Sequence, residues 1–342
     1  MLASRICAFL AILVLALIPA AAQPPRELAR DSGGVQRIDI RAQAIEAFDP
    51  RNTQLKRFGA LEFRGGLVLE STAKDFGGIS ALRVGADGQS FISVTDKGQW
   101  LRGRIVYRGS TPIAIADAEM APILGPDRRP LKKRGWYDTE SLAVDGDTLY
   151  VGIERVHRIV RFDYGRDGLL ARGIPIPVPS GFRSLPSNGS LECLVMPPRG
   201  GPLGGTLIMV SEKGLDARGN LQGFLIGGGA DGSFSLKRTD DFDVSDCALT
   251  PNGQLLVLER RFAWTSGFAM RIRSVPLAAL KPGATVDGPE LVVAGMSHQI
   301  DNMEGLSVHR APDGKLVLTL ISDDNFLPLQ RTVLLQFTLV GE

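Results

Sequence analysis

A repeat of 52 to 63 residues is the feature of this sequence that most restricts its fold. Five segments follow one plan: an acidic or small residue opens an apolar strand, a turn follows, and a second apolar strand ends in an acid. A period of about this length, with several strands in each unit, is typical of a β-propeller. The opening residues of the five units are Gly77, Glu140, Glu192, Asp246 and Glu304.

Acidic residues occupy nine of the ten matched opening and closing positions. A β-sandwich whose strands resemble one another by chance would not repeat acids in this register. We therefore predict an all-β fold, a β-propeller of five blades. A sixth, irregular blade could lie within residues 110–135 or 31–60. The closing residues of the five units are Asp96, Glu154, Glu212, Glu259 and Asp323.

The last unit ends after its third strand, over residues 332–340. The N-terminal segment Leu61–Glu70 has strand character but belongs to no unit of its own. We predict that this segment pairs with the last unit and closes the ring, because closure removes the exposed edges of an open sheet.

The N-terminus predicts export. Arg5 precedes an apolar run over residues 6–18, and alanines over 20–22 then provide a site that signal peptidase recognises. The run is too short to span a bilayer, which needs about 20 apolar residues. The expected location is the periplasm or the medium, with no membrane anchor once the signal is removed. The predicted organisation is a signal peptide over 1–22, a flexible leader over 23–35 and one propeller domain over 36–342.

Charge and cysteine content exclude two classes of protein. Lys and Arg number 39 against 37 Asp and Glu, so there is no electrostatic case for nucleic-acid binding. Three cysteines, one of them inside the signal, do not make a disulfide scaffold. Cys193 and Cys247 occupy the same position in successive units, where they could be small packing residues or an inter-blade disulfide.

The repeat also predicts where the acids meet. The innermost strand of a blade lines the central channel, and the opening acid stands at its start. The closing acid ends the antiparallel neighbour, so both positions lie at the same end of the channel. We expect an inner ring of opening acids, surrounded by an outer ring of closing acids. The predicted inner ring consists of Glu140, Glu192, Asp246 and Glu304.

Clustered carboxylates need compensating charge, because each raises the pKa of its neighbours. Ca²⁺ could compensate, since it binds carboxylate and carbonyl oxygens, and the inner ring would hold it. Basic residues beside the outer ring could do the same. Alternatively, the acids could bond backbone amides and tie blades together. The basic and amide candidates for holding a substrate are Arg155, Lys213, Arg260, Arg261 and Asn325.

Histidine spacing gives no zinc site, since no His-x-x-His or His-Glu-x-x-His pattern occurs among His157, His298 and His309. His298 lies shortly before Glu304 and is the histidine best placed for a role at the channel mouth. A Ser-His-Asp site needs no fixed spacing and stays open.

Several stretches give the chain a family resemblance: residues 58–67, 76–82, 94–98, 302–306 and 321–326. In these stretches the sequence resembles the bacterial phytase-like proteins, which are described as having esterase-like activity of phytase. The resemblance covers nearly all of the mature chain and implies a propeller, but it assigns no nucleophile. True β-propeller phytases bind phosphate through several Ca²⁺ ions, and their relation to this chain is an analogy of fold only.

We therefore expect an exported, monomeric hydrolase that acts on a small-molecule phosphate or carboxylic ester with the help of a cation. The alternative is a non-catalytic propeller that binds a ligand or a protein on the same face. An outer-ring carboxylate would act as the base, and His298 is a further candidate. The predicted catalytic acids are Glu154, Glu212, Glu259 and Asp323.

Overall fold

Five β-sheets account for the fold of residues 34–341, the part of the chain that this computed structural model describes. The predicted signal peptide and residues 23–33 of the predicted leader lie outside the described residues. Within residues 34–341, no helix is both long and apolar enough to cross a membrane.

The N-terminal strands precede the first complete blade and join two different sheets. They are β1 (Gln36–Arg37), β2 (Arg41–Ile45), β3 (Arg57–Phe58) and β4 (Leu61–Glu70). Blade 1 follows, with β1 added outside its last strand. Its strands are β5 (Ile79–Val84), β6 (Ser90–Thr95), β7 (Gln99–Arg108) and β8 (Thr111–Pro122).

The next blades repeat this antiparallel meander from the inside of the ring outwards. Blade 2 contains β9 (Thr139–Asp145), β10 (Thr148–Ile153), β11 (Arg158–Asp163) and β12 (Ile174–Pro175). Blade 3 contains β13 (Cys193–Val195), β14 (Leu207–Leu215), β15 (Leu221–Ile226) and β16 (Gly232–Leu236).

Blade 4 contributes one strand to its neighbour. It contains β17 (Asp243–Leu249), β18 (Gln254–Ala263) and β19 (Gly267–Pro276). Next, β20 (Thr285–Val286) pairs in parallel with β16 of blade 3, and β21 (Glu290–Gly295) completes blade 4. Blade 5 contains β22 (Asn302–Arg310), β23 (Leu316–Asp323) and β24 (Thr332–Leu339).

Helical structure in the described residues is confined to short connections. One α-helical turn spans Tyr164–Asp167. The 3₁₀ turns are Leu131–Arg134, Glu154–Val156, Gly168–Leu170, Ser180–Ser184 and Leu277–Ala279.

The ring closes as predicted. Strand β4 pairs antiparallel with β24, from Leu61 opposite Leu339 to Leu69 opposite Thr332, and β2 then pairs with the outer edge of β4. The segments that could have held a sixth blade have other places, since 31–60 contributes edge strands and 110–135 includes β8. The five-bladed propeller is confirmed.

Apolar side chains between adjacent blades form the core. Between blades 4 and 5, Leu256 and Leu258 of β18 cluster with Leu318 and Leu320 of β23. Strand β23 is buried along its whole length, which explains why most of its residues are apolar. Each such side chain contributes about 1.5–3 kcal/mol when fully buried. The core therefore holds the blades at fixed positions around the channel.

A disulfide joins the innermost strands of blades 3 and 4. It links Cys193 of β13 to Cys247 of β17, whose Cα atoms are 5.1 Å apart. Of the two alternatives left open by the sequence, the structure has the inter-blade disulfide.

Candidate functional site

Irregular pairing brings carboxylates into one mouth of the channel. In four blades the innermost strand carries a β-bulge near this mouth, at which one additional residue is inserted. A bulge bends its strand and redirects the inserted side chain. In blades 2 and 5 the inserted residues are Glu140 and Glu304, so these two acids turn towards the axis.

The carboxylates of Glu140, Glu192 and Glu304 meet at the centre of the mouth. One oxygen from each lies within 4.8 Å of the other two. Glu140 also belongs to a second group, in which its carboxylate approaches those of Asp138 and Glu154 equally closely. Three of the four predicted inner-ring acids are therefore brought together, and Asp138 adjoins one of them, Glu140.

Asp246 is not part of this cluster, and the prediction that it converges with the other three is wrong. The residue inserted in blade 4 is Ser245, and Asp246 follows it. A shift of one residue along a strand turns a side chain to the opposite side. Asp246 instead forms a buried ion pair with Arg83, at 2.7 Å, and accepts hydrogen bonds from the amides of Cys247 and Leu306.

The same shift removes Glu259 from the predicted outer ring. In blade 5, Asp323 lies opposite Asn302, two residues before the bulged Glu304. The equivalent residue in blade 4 is Arg260, opposite Asp243. Glu259, one residue before Arg260, therefore points to the opposite face of the strand.

Glu259 is fully buried and forms ion pairs with two arginines. Its carboxylate lies 2.7 Å from Arg271 and 2.5 Å from Arg273, both on the adjacent strand β19. It therefore acts as a link within blade 4 and does not line the cavity at the mouth.

Arg260 is the cation at the centre of the acids. Its guanidinium donates to Glu304, to Glu212 at 3.0 Å and to the amide oxygen of Asn302 at 2.6 Å. Burial alone would lower the pKa of Arg260, but Glu304 and Glu212 raise it. Blade 4 thus provides an arginine where the other blades provide carboxylates.

The remaining predicted outer acids line the same cavity as the central three. Glu154 accepts hydrogen bonds from the backbone amides of Gly189 and, at 2.6 Å, Ser190. Glu212 pairs with Lys213 at 3.2 Å as well as with Arg260. Asp323 accepts from the amide of Asn325 at 2.7 Å.

Two glycines permit the close packing around these acids. At Gly78 and Gly189, with φ of 59° and 87°, the backbone adopts a conformation that other residues rarely take. A Cβ atom at Gly78 would clash with the Asp96 carboxylate, and one at Gly189 would lie 2.6 Å from that of Glu212.

Burial and mutual repulsion make these carboxyls hard to ionise. Desolvation raises the pKa of Glu140 and Glu192 well above the usual range, and the neighbouring carboxylates add to the effect. The pKa of Asp323 is also raised well above the usual range, by burial first and then by the neighbouring carboxylates. Burial also raises the pKa of Asp96 to about 6 and that of Glu154 to about 7.

The cavity at this mouth has a volume of about 470 Å³ and carries a large excess of acids. Eight acidic side chains line it, against the two basic residues Lys213 and Arg260. Both basic residues are already paired with its acids. One oxygen of Glu192, Oε2, is buried and has no hydrogen-bond partner. A buried, unpartnered carboxylate oxygen is costly, and a cation would satisfy it.

Other predicted residues have different surroundings. Lys213 and Asn325 line the cavity. Arg155 lies close by and pairs with Asp138. Arg261 donates to the Asp240 carbonyl at 3.0 Å, outside the cavity lining. His298 stacks on Phe48, with ring centroids 5.0 Å apart, and does not line the cavity either.

The opposite end of the channel also has a cavity, of about 1060 Å³. Four arginines and four acids balance one another in its lining, and none of the predicted site residues is among them. The chemically distinctive cavity is therefore the smaller one.

Sequence reasoning missed two groups of residues at the acidic mouth. Asp138 stands two residues before Glu140, and its left-handed backbone, with φ of 63°, helps to place it beside Glu154. The acid-x-acid pattern was a signal that could have revealed it. An apolar group also lines the cavity and consists of Phe262 on β18, Phe268 on β19 and Leu327 in the loop before β24.

Fold and mouth together define a β-propeller with an acidic cluster, suited to a metal ion, at one end of its channel. The family described as "Phytase-like: Esterase-like activity of phytase" matches residues 74–326, and the chain belongs to this family. The resemblance seen in the sequence is thus confirmed. A comparison with curated proteins finds no match.

Solved structures with similar folds share little sequence with this chain. The PQQ-bound aldose sugar dehydrogenase of Streptomyces coelicolor is 11% identical, with a TM-score of 0.46 over 80% of this chain and 97% of its own. Glutaminyl cyclase of Myxococcus xanthus is 14% identical, with a TM-score of 0.38 over 78% of this chain and 92% of its own. Similarities this weak carry no argument about activity.

Proposed function

We propose that the protein is a hydrolase of phosphate or carboxylic esters and that a divalent cation, Ca²⁺ by its ligand chemistry, assists it at the acidic mouth. The observation that carries this proposal is the unpartnered Oε2 of Glu192, buried beside Glu140 and Glu304. All available donors are oxygens, as a hard cation requires.

Glu140, Glu192 and Glu304 would hold the cation, with Asp138 and Glu154 adjoining through Glu140. A bound cation would polarise the ester oxygen and lower the pKa of a water molecule. Asp246, although predicted as a ligand, is engaged by Arg83 and is left out of this set.

The chain's own residues would orient the substrate and move the proton. Arg260 and Lys213 offer positive charge to an anionic group while remaining held by Glu212. Glu154 is fixed by two backbone amides, so its carboxylate is well oriented to take a proton from water at the mouth. Asp323 is a second candidate base in the same lining.

We further propose that the protein is exported to the periplasm or the medium and acts there as a monomer on a small molecule. The apolar N-terminal run supports export. The volume of the acidic cavity, about 470 Å³, suits a small ligand better than a protein surface.

A panel of phosphate and carboxylic esters, assayed with Ca²⁺ and with chelator, tests the proposal. We expect hydrolysis that chelator abolishes, together with bound metal in elemental analysis of the purified protein. Metal-dependent ligand binding without turnover would favour the non-catalytic alternative instead. Absence of both bound metal and any chelator effect would overturn the proposal.

Glu192→Gln separates a metal ligand from a structural acid. Because Oε2 of Glu192 has no hydrogen bond to lose, this change removes the repulsion that ionised Glu192 exerts at alkaline pH, and it should raise the melting temperature of the chelated protein there. It should also abolish the further rise caused by Ca²⁺. Glu62→Gln, at an exposed position of β4, is the matched control and should leave both melts unchanged.

A further inference from the structure

An exposed aromatic hairpin forms one wall of the acidic mouth. Strands β18 and β19 pair through Phe262 opposite Phe268, and the turn between them carries Trp264. Trp264 is 94% exposed and Phe262 is 50% exposed, although their rings lie 5.2 Å apart. Large apolar groups left this open to water commonly mark a contact surface.

Strand geometry places Phe262, whose ring contacts that of Trp264, on the cavity side. Side chains two residues apart on a strand share a face, so Phe262 lies on the same face of β18 as Arg260. Both line the cavity, as do Phe268 and Leu327. The apolar wall and the carboxylates therefore belong to one site.

The charge of the mouth restricts which molecule can contact both the apolar wall and the carboxylates. Eight acids face two basic residues, and both basic residues are paired. A molecule that carries many negative charges would find only Arg260 and Lys213 in the lining to offset them, and both are shared with Glu212. A molecule with one small polar head and an apolar body fits better.

We propose that the preferred substrates are aryl or alkyl monoesters, whose apolar group lies against Phe262, Trp264 and Leu327. The assignment of an ester head group rests on the proposed function. The contact between the aromatic wall and the apolar group does not.

Two pairs of non-hydrolysable probes test the wall. In chelated protein, the affinities of benzyltrimethylammonium and tetramethylammonium are compared, because a cationic head can occupy the carboxylates without metal. With Ca²⁺ present, phenylphosphonate and methylphosphonate are compared. Calorimetry reports binding, and the part of any change in tryptophan emission that Trp264→Ala abolishes is assigned to Trp264, since Trp100 is buried and Trp136 is only partly buried.

We expect the aromatic member of each pair to bind about tenfold more tightly than its methyl counterpart. Phe262→Ala and Trp264→Ala should each reduce that ratio to about twofold or less. Ile174→Ala, at an exposed position of the outer strand β12, should leave it unchanged. Melting curves would verify that the variants fold.

The outcomes distinguish this inference from the proposed function. One outcome is that the ammonium pair shows the aromatic preference, while phosphonates bind without Ca²⁺ or not at all and no ester is hydrolysed. That outcome would overturn the proposed function but support the contact between the aromatic wall and an apolar group. Equal affinities within both pairs, no binding of any probe, or a ratio unchanged by either substitution would overturn the inference.

Discussion

Asp246→Asn tests the placement of Asp246 outside the acidic cluster. Arg83 donates to both carboxylate oxygens of Asp246, at 2.7 and 2.8 Å, and also to the carbonyls of Leu194 and Leu306. The pair thus connects the innermost strands of blades 1, 3, 4 and 5. Asparagine retains the shape of aspartate but turns an amide towards Arg83 and leaves its charge without a partner.

Loss of one partner from a buried ion pair costs about 3–5 kcal/mol of unfolding free energy. Asp246 is fully buried, and the Arg83 side chain is 11% exposed, so solvent can compensate little. Unfolding entropy is about 2.1 cal/mol/K per residue, which gives roughly 0.65 kcal/mol/K for the described part of the chain. The melting temperature should therefore fall by about 5–8 °C.

Thermal melts in chelator and in Ca²⁺ measure this effect. Asp117→Asn is the matched control, because Asp117 forms an ion pair with Arg104 that is exposed on both sides and contributes about 1 kcal/mol or less. We expect Asp246→Asn to lower both melts and to leave the Ca²⁺-induced difference intact. A melt within about 2 °C of wild type, or loss of the Ca²⁺ effect, would refute the placement.

Further predictions concern the mouth and the disulfide. In chelator, melts at a series of pH values should show stability declining from about pH 4.5 to 7. The reason is that Glu154 has a pKa of about 7 in the folded protein, against 4.5 in the unfolded chain, so the folded protein keeps this proton longer. Adding Ca²⁺ at pH 8 should reverse the loss of stability. Replacing Cys193 and Cys247 by alanine removes a link between residues 54 apart and should cost up to about 4 kcal/mol in denaturant titrations. Gly78→Ala should destabilise by about 1–3 kcal/mol, as measured by the same titrations, since its Cβ would clash with Asp96.

The repeat made the fold predictable, because apolar strands and turns recur along most of the chain. It also placed three of the four inner acids correctly. The ring closure followed from one observation, the absence of a fourth strand in the last unit, and β4 fills that place.

The misplacement of Asp246 and Glu259 has one physical cause. Sequence alignment matched Asp246 with Glu304, whereas the bulge of blade 4 falls at Ser245. A bulge leaves no mark in an apolar pattern, yet it decides which side of the strand each following residue faces. The same slip assigned Glu259 to the mouth and concealed that Arg260 is the central cation. Asp138 and Phe262 lie just outside the repeated segments and were missed for that reason.

Ring closure also affects the order in which the molecule can form. Strand β4 emerges early in synthesis, but its partner β24 lies at the other end of the chain. Blade 5 must therefore stay incomplete until almost the whole polypeptide has been made, and contacts between such distant segments form slowly. Glu304, at the centre of the acidic mouth, belongs to this last blade. A nascent chain stopped before β24 would have four complete blades and an unfinished site.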